Sequence, residues 1–441
     1  MVFAAAGDHG ANTRAAASLA ALDRSGAQFY LALGDLDYDQ TPTDEAWCDY
    51  VKARLPTLGP SFPFQLVAGN HEEQFGPDGY ILNHAACLPD RLNSTPSPQG
   101  RYATEYYFDY PAGAPLVRVV MLSPDLTVEN VRYQYTQGST HLQWLASVID
   151  EARVEGIPWV VVGMHKVCLS AGGKSCEIGA DLANLLIDKR VDLVLQGHAH
   201  NYQRSKQLRL APETCPAVAA DAYDSDCVVD EGTDGIYTKG AGTVFVIDGT
   251  FGQSLHAVDP TDTDAPYFAK LNATSWGLTR YSVTQNRIDA SFVASSGSFA
   301  DGFTIASNTA PPPPSGGCAT GQYQANYFSN KTLVGAPVLT RCEAAINYTW
   351  GTGSPAPGVP PDGFSARWTG SHAFPGGSTT FTARSDDGVR VWIDGALIID
   401  AWKNQAPTTY TATRTLSPGD HEVRVEYYEN LGGAVAQVSW A

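Results

Sequence analysis

Five short clusters of metal-binding side chains stand in the first 200 residues. In order they are Gly7-Asp8-His9-Gly10, Gly34-Asp35-Leu36-Asp37-Tyr38, Gly69-Asn70-His71-Glu72, His165 and Gly197-His198-Ala199-His200. Carboxylates and a phenol are hard, anionic donors that suit a cation such as Fe3+, whereas imidazoles and an amide oxygen suit a divalent ion. Taken singly, a Gly-Asp step at a strand end is more often a turn or a helix cap, and a lone histidine carries no information. His198 and His200 are a stronger signal, because alternate residues of an extended segment share a face. The ordered set outweighs these plainer readings. Each cluster ends or follows an apolar, strand-like run, which is where open α/β sheets place their sites.

The runs that must position these residues are continuous and apolar: 29–33, 64–68, 117–122 and 159–162. Such runs fit strands covered on both faces. Helical spacing marks residues 12–23, 142–154 and 180–189, the last ahead of a strand over 191–195. Strand–helix alternation predicts an α/β class. Residues 243–292 turn to short strands with Gly turns, which predicts a second sheet. The segment from Asn308 to Gly317, four prolines followed by Ser-Gly-Gly, is a linker by composition. It divides a domain of residues 1–308 from one of residues 318–441, with 309–317 between them. Downstream the texture is all-β, with Asp394-Gly395 as a hairpin signal between two runs, and a β-sandwich is expected.

With 441 residues, 43% of them hydrophobic and 17% charged, the chain has the composition of folded protein and room for two domains. A formal net charge of −18 repels nucleic acid and anionic membranes, so neither is expected as a partner. It does not exclude a phosphorylated small molecule, since a bound cation pair reverses the local field. No apolar run is long enough to span a membrane. Met1 leads directly into Val2-Phe3-Ala4, with no basic stretch or cleavage signature before it, so any signal peptide is expected to have been removed already. The eight cysteines form near-neighbour couples, Cys48/Cys87, Cys168/Cys176, Cys215/Cys227 and Cys318/Cys342. Disulfides and a secreted protein are expected; sequential pairing is the preferred reading, which spacing alone does not fix.

The motifs resemble those of the calcineurin-like metallophosphoesterases, and among them the purple acid phosphatases. Gly10 stands where the wider superfamily carries a metal-binding histidine, and Tyr38 stands in the second motif. The two departures go together in the purple acid phosphatase branch. The stretch Gly197 to Arg204 also resembles that branch, and 244–249 with 276–278 fit its closing β region. The resemblance covers about residues 1–308. It implies a four-layer α/β sandwich, two mixed β-sheets flanked by helices. It implies a first metal, Fe3+, held by Asp8, Asp35, Tyr38 and His200, and coloured by the tyrosinate. A second metal, Fe2+, Zn2+ or Mn2+, would be held by Asp35, Asn70, His165 and His198, with Asp35 bridging. The implied reaction is hydrolysis of phosphate monoesters by attack of a metal-bound hydroxide on phosphorus, with His71 as general acid or substrate clamp. His9, Tyr202 and Arg204 are candidates for supporting the ligands from behind. A phosphodiesterase with the same metals is the alternative, and a glycan-binding adhesin on an inactive phosphoesterase scaffold is the alternative of another class.

Residues 364–370, 385–395 and 399–402 resemble the protective-antigen-type β-domain, and this resemblance covers nearly all of residues 318–441. In glycan-binding members an Asp-Asp pair chelates Ca2+, which holds sugar hydroxyls. Asp386 and Asp387 match that pair and are candidate calcium ligands, with a glycan or cell-surface polysaccharide as partner. A plain β-turn in a module used only for attachment is the competing reading.

Overall fold

In the computed structural model, residues 1–92, 99–307, 318, 320–333, 337–356 and 358–441 are described. The proline-rich linker, residues 309–317, lies outside them. The chain divides into two compact units, Met1–Ser307 and Asn308–Ala441. The cysteines pair sequentially, as preferred from their spacing.

In the first unit, the strand Val2–Ala6 pairs in parallel with Phe29–Ala32, which pairs in parallel with Phe64–Leu66. On its other side Val2–Ala6 pairs antiparallel with Trp276–Val283, and Arg287–Ser296, Gly302–Ala306 and Ile236–Thr238 extend the sheet. A second sheet of eight strands has Val117–Leu122, Trp159–Met164, Leu193–Gln196 and Val244–Asp248 in parallel at its centre, with antiparallel strands at both edges.

Alternation along the strands builds the layers. Phe3, Ala5, Phe29 and Leu31 face inward and meet Val119, Met121, Val161 and Leu195 of the other sheet in one apolar cluster. Ala4, Tyr30, Val120 and Val162 face outward, in a cluster shared with the helices Thr13–Asp23 and Thr140–Val154 and with Ala180–Asp188. The result is the expected helix–sheet–sheet–helix sandwich. Asn12 caps the first of these helices through its side-chain oxygen, which accepts from the N–H groups of Arg14 and Ala15. Two helices, Asp44–Lys52 and Ile81–Cys87, were not anticipated; the Cys48–Cys87 disulfide joins them. No helix among the described residues is long and apolar enough to cross a membrane.

The second unit is all-β. A six-stranded sheet carries Ser365–Phe374, Gly419–Tyr428 and Gly388–Ile393 at its centre, and a four-stranded sheet carries Ala434–Trp440 and Gly377–Asp386 at its centre. Trp368, Phe381, Val391 and Tyr427 belong to its core. At the expected hairpin Asp394 and Gly395 both take positive φ, 49° and 78°, as a mirror-image type I turn requires.

Arg204 and Asp301 form a buried pair in the first unit, with Arg204 Nε 2.7 Å and Nη2 3.1 Å from the two carboxylate oxygens. Tyr202 donates to the same carboxylate at 2.9 Å. Arg204→Ala would leave Asp301 buried without its cation and should cost about 3–5 kcal/mol of stability, read by urea unfolding.

Candidate metal centre

Five parallel strands point their C-terminal ends at one place, three from the first sheet and two from the second. Asp8 follows Val2–Ala6, Asp35 and Tyr38 follow Phe29–Ala32, and Asn70 follows Phe64–Leu66. His165 follows Trp159–Met164, and His198 and His200 follow Leu193–Gln196.

Asp8, Asp35, Tyr38 and His198 all take left-handed backbone conformations, with φ of 64°, 52°, 58° and 68°. Residues other than glycine pay for this conformation, and a surrounding structure must enforce it. Glu72 supplies part of that enforcement. Its buried carboxylate accepts the N–H groups of Asp35 at 3.0 Å, Gly69 at 3.2 Å and Leu36, stitching the Asp35 loop to the Asn70 loop. Gly69 is the other requirement. A Cβ there would lie 2.0 Å from Asp35 Oδ1.

In the first half of the centre, Tyr38 Oη lies 2.8 Å from Asp8 Oδ1, 2.9 Å from Asp35 Oδ2 and 2.9 Å from His200 Nε2. His200 Nε2 is also 2.9 Å from Asp8 Oδ1. In the second half, His165 Nε2 lies 3.1 Å from Asn70 Oδ1, 3.1 Å from His198 Nδ1 and 3.2 Å from Asp35 Oδ2. Asp35 Oδ2 therefore belongs to both halves, and its Oδ1 is held by the N–H of His71 at 3.1 Å. All seven ligands expected from the sequence are brought together.

The imidazoles are aimed for coordination. His165 Nδ1 donates to the Leu33 carbonyl at 2.8 Å, His200 Nδ1 to the Ser254 carbonyl at 3.0 Å, and His198 Nε2 to Glu177 Oε1 at 2.8 Å. With the outer nitrogen of each ring committed, the inner nitrogen presents its lone pair to the cluster. Oxygen and nitrogen donors about 2.8–3.2 Å apart fit around ions whose bonds are about 2.0–2.2 Å long. The donor set thus suits two metal ions sharing one carboxylate.

Without a cation, protons hold these acids together. Burial opposes the charge on Asp8, yet His200 and then His165 overcome it and draw its pKa below the usual carboxylate range. Burial likewise opposes charge on His165, but Asp35 and its hydrogen bond raise it to about 9. Burial, followed by Asp8 and Asp35, holds the Tyr38 phenol far above its ordinary pKa, so its proton bridges the two carboxylates. A cation held by these residues would take the place of the protons.

His71 stands at the rim with its side chain 24% exposed, its ring 4.2 Å from that of Tyr38 and its Nε2 3.6 Å from Asp35 Oδ2. Its Nδ1 is paired with Asp78, seven residues on, and Asp78 N–H also bonds the His71 carbonyl. Asp78 and Glu177 were not picked out from the sequence, and Glu72 was read only as part of a motif. A carboxylate seven residues beyond a strand-end histidine was the one available hint.

Three residues need correction. His9 does not support the ligands: its ring is buried against Tyr30, Trp47 and Phe251, and Nε2 bonds Tyr30 at 2.9 Å. Burial lowers its pKa to about 4, so it is a neutral core histidine. Tyr202 and Arg204 turn toward Asp301, and their polar atoms bond no metal ligand. The residue between them, Gln203, faces the other way and accepts the Ala171 N–H at 2.8 Å, bracing the loop that leads to Glu177.

In the second unit, carboxylate oxygens of Asp386, Asp387 and Glu429 lie within 4.8 Å of one another. Asp387 accepts the N–H groups of Gln405 at 2.8 Å and Asn430 at 2.7 Å. Glu429 is fully buried and its Oε1 has no hydrogen-bond partner, although Tyr427 reaches Oε2 at 3.2 Å. Burial and the charge of Asp387 push Glu429 up to about 7. Such an orphaned carboxylate oxygen beside two others fits a hard cation. Glu429 was not legible from the Asp-Asp pair.

Residues 1–202 match the family model for calcineurin-like phosphoesterases, and residues 319–441 match the model for the PA14 domain. An uncharacterized protein of Mycobacterium tuberculosis is 29% identical over 240 residues, 51% of this chain and 44% of that one. Purple acid phosphatase 22 of Arabidopsis thaliana is 27% identical over 213 residues, 47% of this chain and 45% of that one. The chain spans less than half the length of the curated relatives it matches. Among solved structures, purple acid phosphatase PPD1 from yellow lupin seeds shares the fold, with a TM-score of 0.52 at 16% identity over 70% of this chain and 54% of that one.

Gly69→Ala should disorder the Asp35 loop, because the clash is with a ligand's own carboxylate. The expected outcome is loss of bound metal with a stability cost of about 1–3 kcal/mol, read by elemental analysis and thermal unfolding.

Proposed function

We propose that this chain, which carries a calcineurin-like phosphoesterase domain at residues 1–202 and a PA14 domain at residues 319–441, is a secreted binuclear-metal phosphatase that hydrolyses phosphate monoesters. The observation that carries the proposal is the sharing of Asp35 Oδ2 between two donor sets. One set contains a phenol and suits Fe3+; the other, with two imidazoles and an amide oxygen, suits Fe2+, Zn2+ or Mn2+. Bound there, the metals would supply Lewis acidity and an activated water for in-line displacement at phosphorus.

The chain's own residues do the rest. Asp8 and Asp35 set the negative charge of the site, and Leu33, Ser254 and Glu177 hold the imidazoles in the binding tautomer. His71, oriented by Asp78, is placed to give a proton to the leaving oxygen. An alkoxide needs that proton more than an aryl oxide does. Export is supported by the four disulfides. In the second domain, Asp386, Asp387 and Glu429 form a Ca2+ site through which the module holds a sugar.

Hydrolysis of p-nitrophenyl phosphate should be abolished by chelator and restored by iron with zinc, with a visible absorption band that Tyr38→Phe removes. Chelator-insensitive turnover, or a much faster rate on bis-p-nitrophenyl phosphate, would overturn the reading. His71→Ala should slow alkyl phosphates by about 100-fold and aryl phosphates less, as kcat comparisons would show. For the second domain, Ca2+-dependent retention on a glycan array should disappear in Asp387→Asn; retention unchanged by calcium removal would refute the site.

A further inference from the structure

We infer that Glu177 and Lys166 are positioning residues that set the affinity for the second metal through His198, an inference that rests on the binuclear reading above. The three ligand histidines are not anchored alike. His165 and His200 give their outer N–H to backbone carbonyls, whereas His198 gives Nε2–H to a carboxylate, Glu177 Oε1, at 2.8 Å. A carboxylate partner fixes the ring and strengthens the opposite nitrogen as a donor more than a neutral carbonyl does.

Glu177 is itself held on two sides. Its Oε2 lies 3.3 Å from Lys166 Nζ, and Lys166 is nearly buried. The same ammonium bonds Asp125 Oδ2 at 2.9 Å and the Asp125 carbonyl at 3.2 Å. Asp125 is paired in turn with Arg132, which approaches Glu73 to 4.0 Å. A row of alternating charges therefore runs from the loop bearing His71 to the far side of His198.

The backbone around this row is fixed as well. Lys166 directly follows the ligand His165, and its carbonyl accepts Gln196 Nε2 at 2.8 Å, tying it to the strand ahead of His198. Glu177 directly follows Cys176, whose disulfide to Cys168 closes the intervening loop, and Glu177 N–H bonds the Val167 carbonyl at 3.0 Å. Neither side chain is a metal ligand in the proposed centre. Both act on the metal through one imidazole.

The test titrates the whole chain, loaded with iron and depleted of the second metal, with Zn2+ by calorimetry, alongside iron content and the visible spectrum. Glu177→Ala should weaken the second ion by about 10–100-fold while iron and the Tyr38 band are retained. Glu177→Gln, whose amide oxygen still accepts from His198, and Lys166→Met should each lose less. Unchanged Zn2+ affinity in Glu177→Ala and Glu177→Gln overturns the inference, and so does an equal loss of both metals, which would mark a general structural role. Should Glu177→Ala fail to fold, Glu177→Gln decides on the same criteria. Wild-type protein that takes up only one ion refutes the binuclear reading itself, before any variant is compared.

Discussion

Burying two carboxylates beside one another is the constraint on which the catalytic unit is built. Asp8 and Asp35 are almost fully shielded from water, and a buried charge of one sign is tolerated only with a compensating partner. Tyr38, His165 and His200 provide protons in the metal-free chain, and cations can replace them. Everything nearby serves to hold the acids in this costly arrangement. Strand ends from two sheets converge, four candidate ligands accept left-handed backbone, and Glu72 ties two loops together by their amides. Gly69 matters for the space it leaves, since the close approach of its loop to Asp35 permits no side chain.

The second unit meets the same constraint on a smaller scale. Asp386, Asp387 and Glu429 crowd three acids into one corner of a β-sandwich, with two backbone amides and a tyrosine hydroxyl as partial compensation. One oxygen of Glu429 is left over. In the catalytic unit, protonated histidines make up the difference; no histidine stands in this cluster.

The clustering of the candidate ligands was legible because their chemistry resides in residue type, and parallel strands deliver their C-terminal ends to one edge. Strand–helix alternation gave the layers for a similar reason: covered strands are apolar throughout. What sequence did not disclose were the acceptors. Glu177 is twenty-one positions from His198 and reaches it only because a disulfide loop folds back. His9 was misjudged because it adjoins a ligand; the left-handed turn at Asp8 sends the neighbouring side chain into the aromatic core instead. Tyr202 and Arg204 were misjudged by proximity to His200. Their shared strand face points between the sheets, and Gln203, on the other face, does the supporting. The helices Asp44–Lys52 and Ile81–Cys87 escaped notice because they are short, and what joins them, the Cys48–Cys87 bridge and the Asp44 carboxylate that accepts from Tyr80 and Asn83, spans nearly forty positions.

The pairing of Val2–Ala6 with Trp276–Val283 bears on how the protein is made. The strand that carries Asp8 leaves the ribosome about 270 residues ahead of this partner, so one of its edges has no neighbour until almost the whole first unit has been synthesised. During that interval an apolar strand, Val2-Phe3-Ala4-Ala5-Ala6, offers unpaired backbone to any passing chain. Closing so long a loop late in synthesis slows maturation and favours assistance by chaperones that shield the strand. The sheet that carries Asp8, Asp35 and Asn70 thus gains its antiparallel half only once residues 276–306 have been made, late in the synthesis of the first unit.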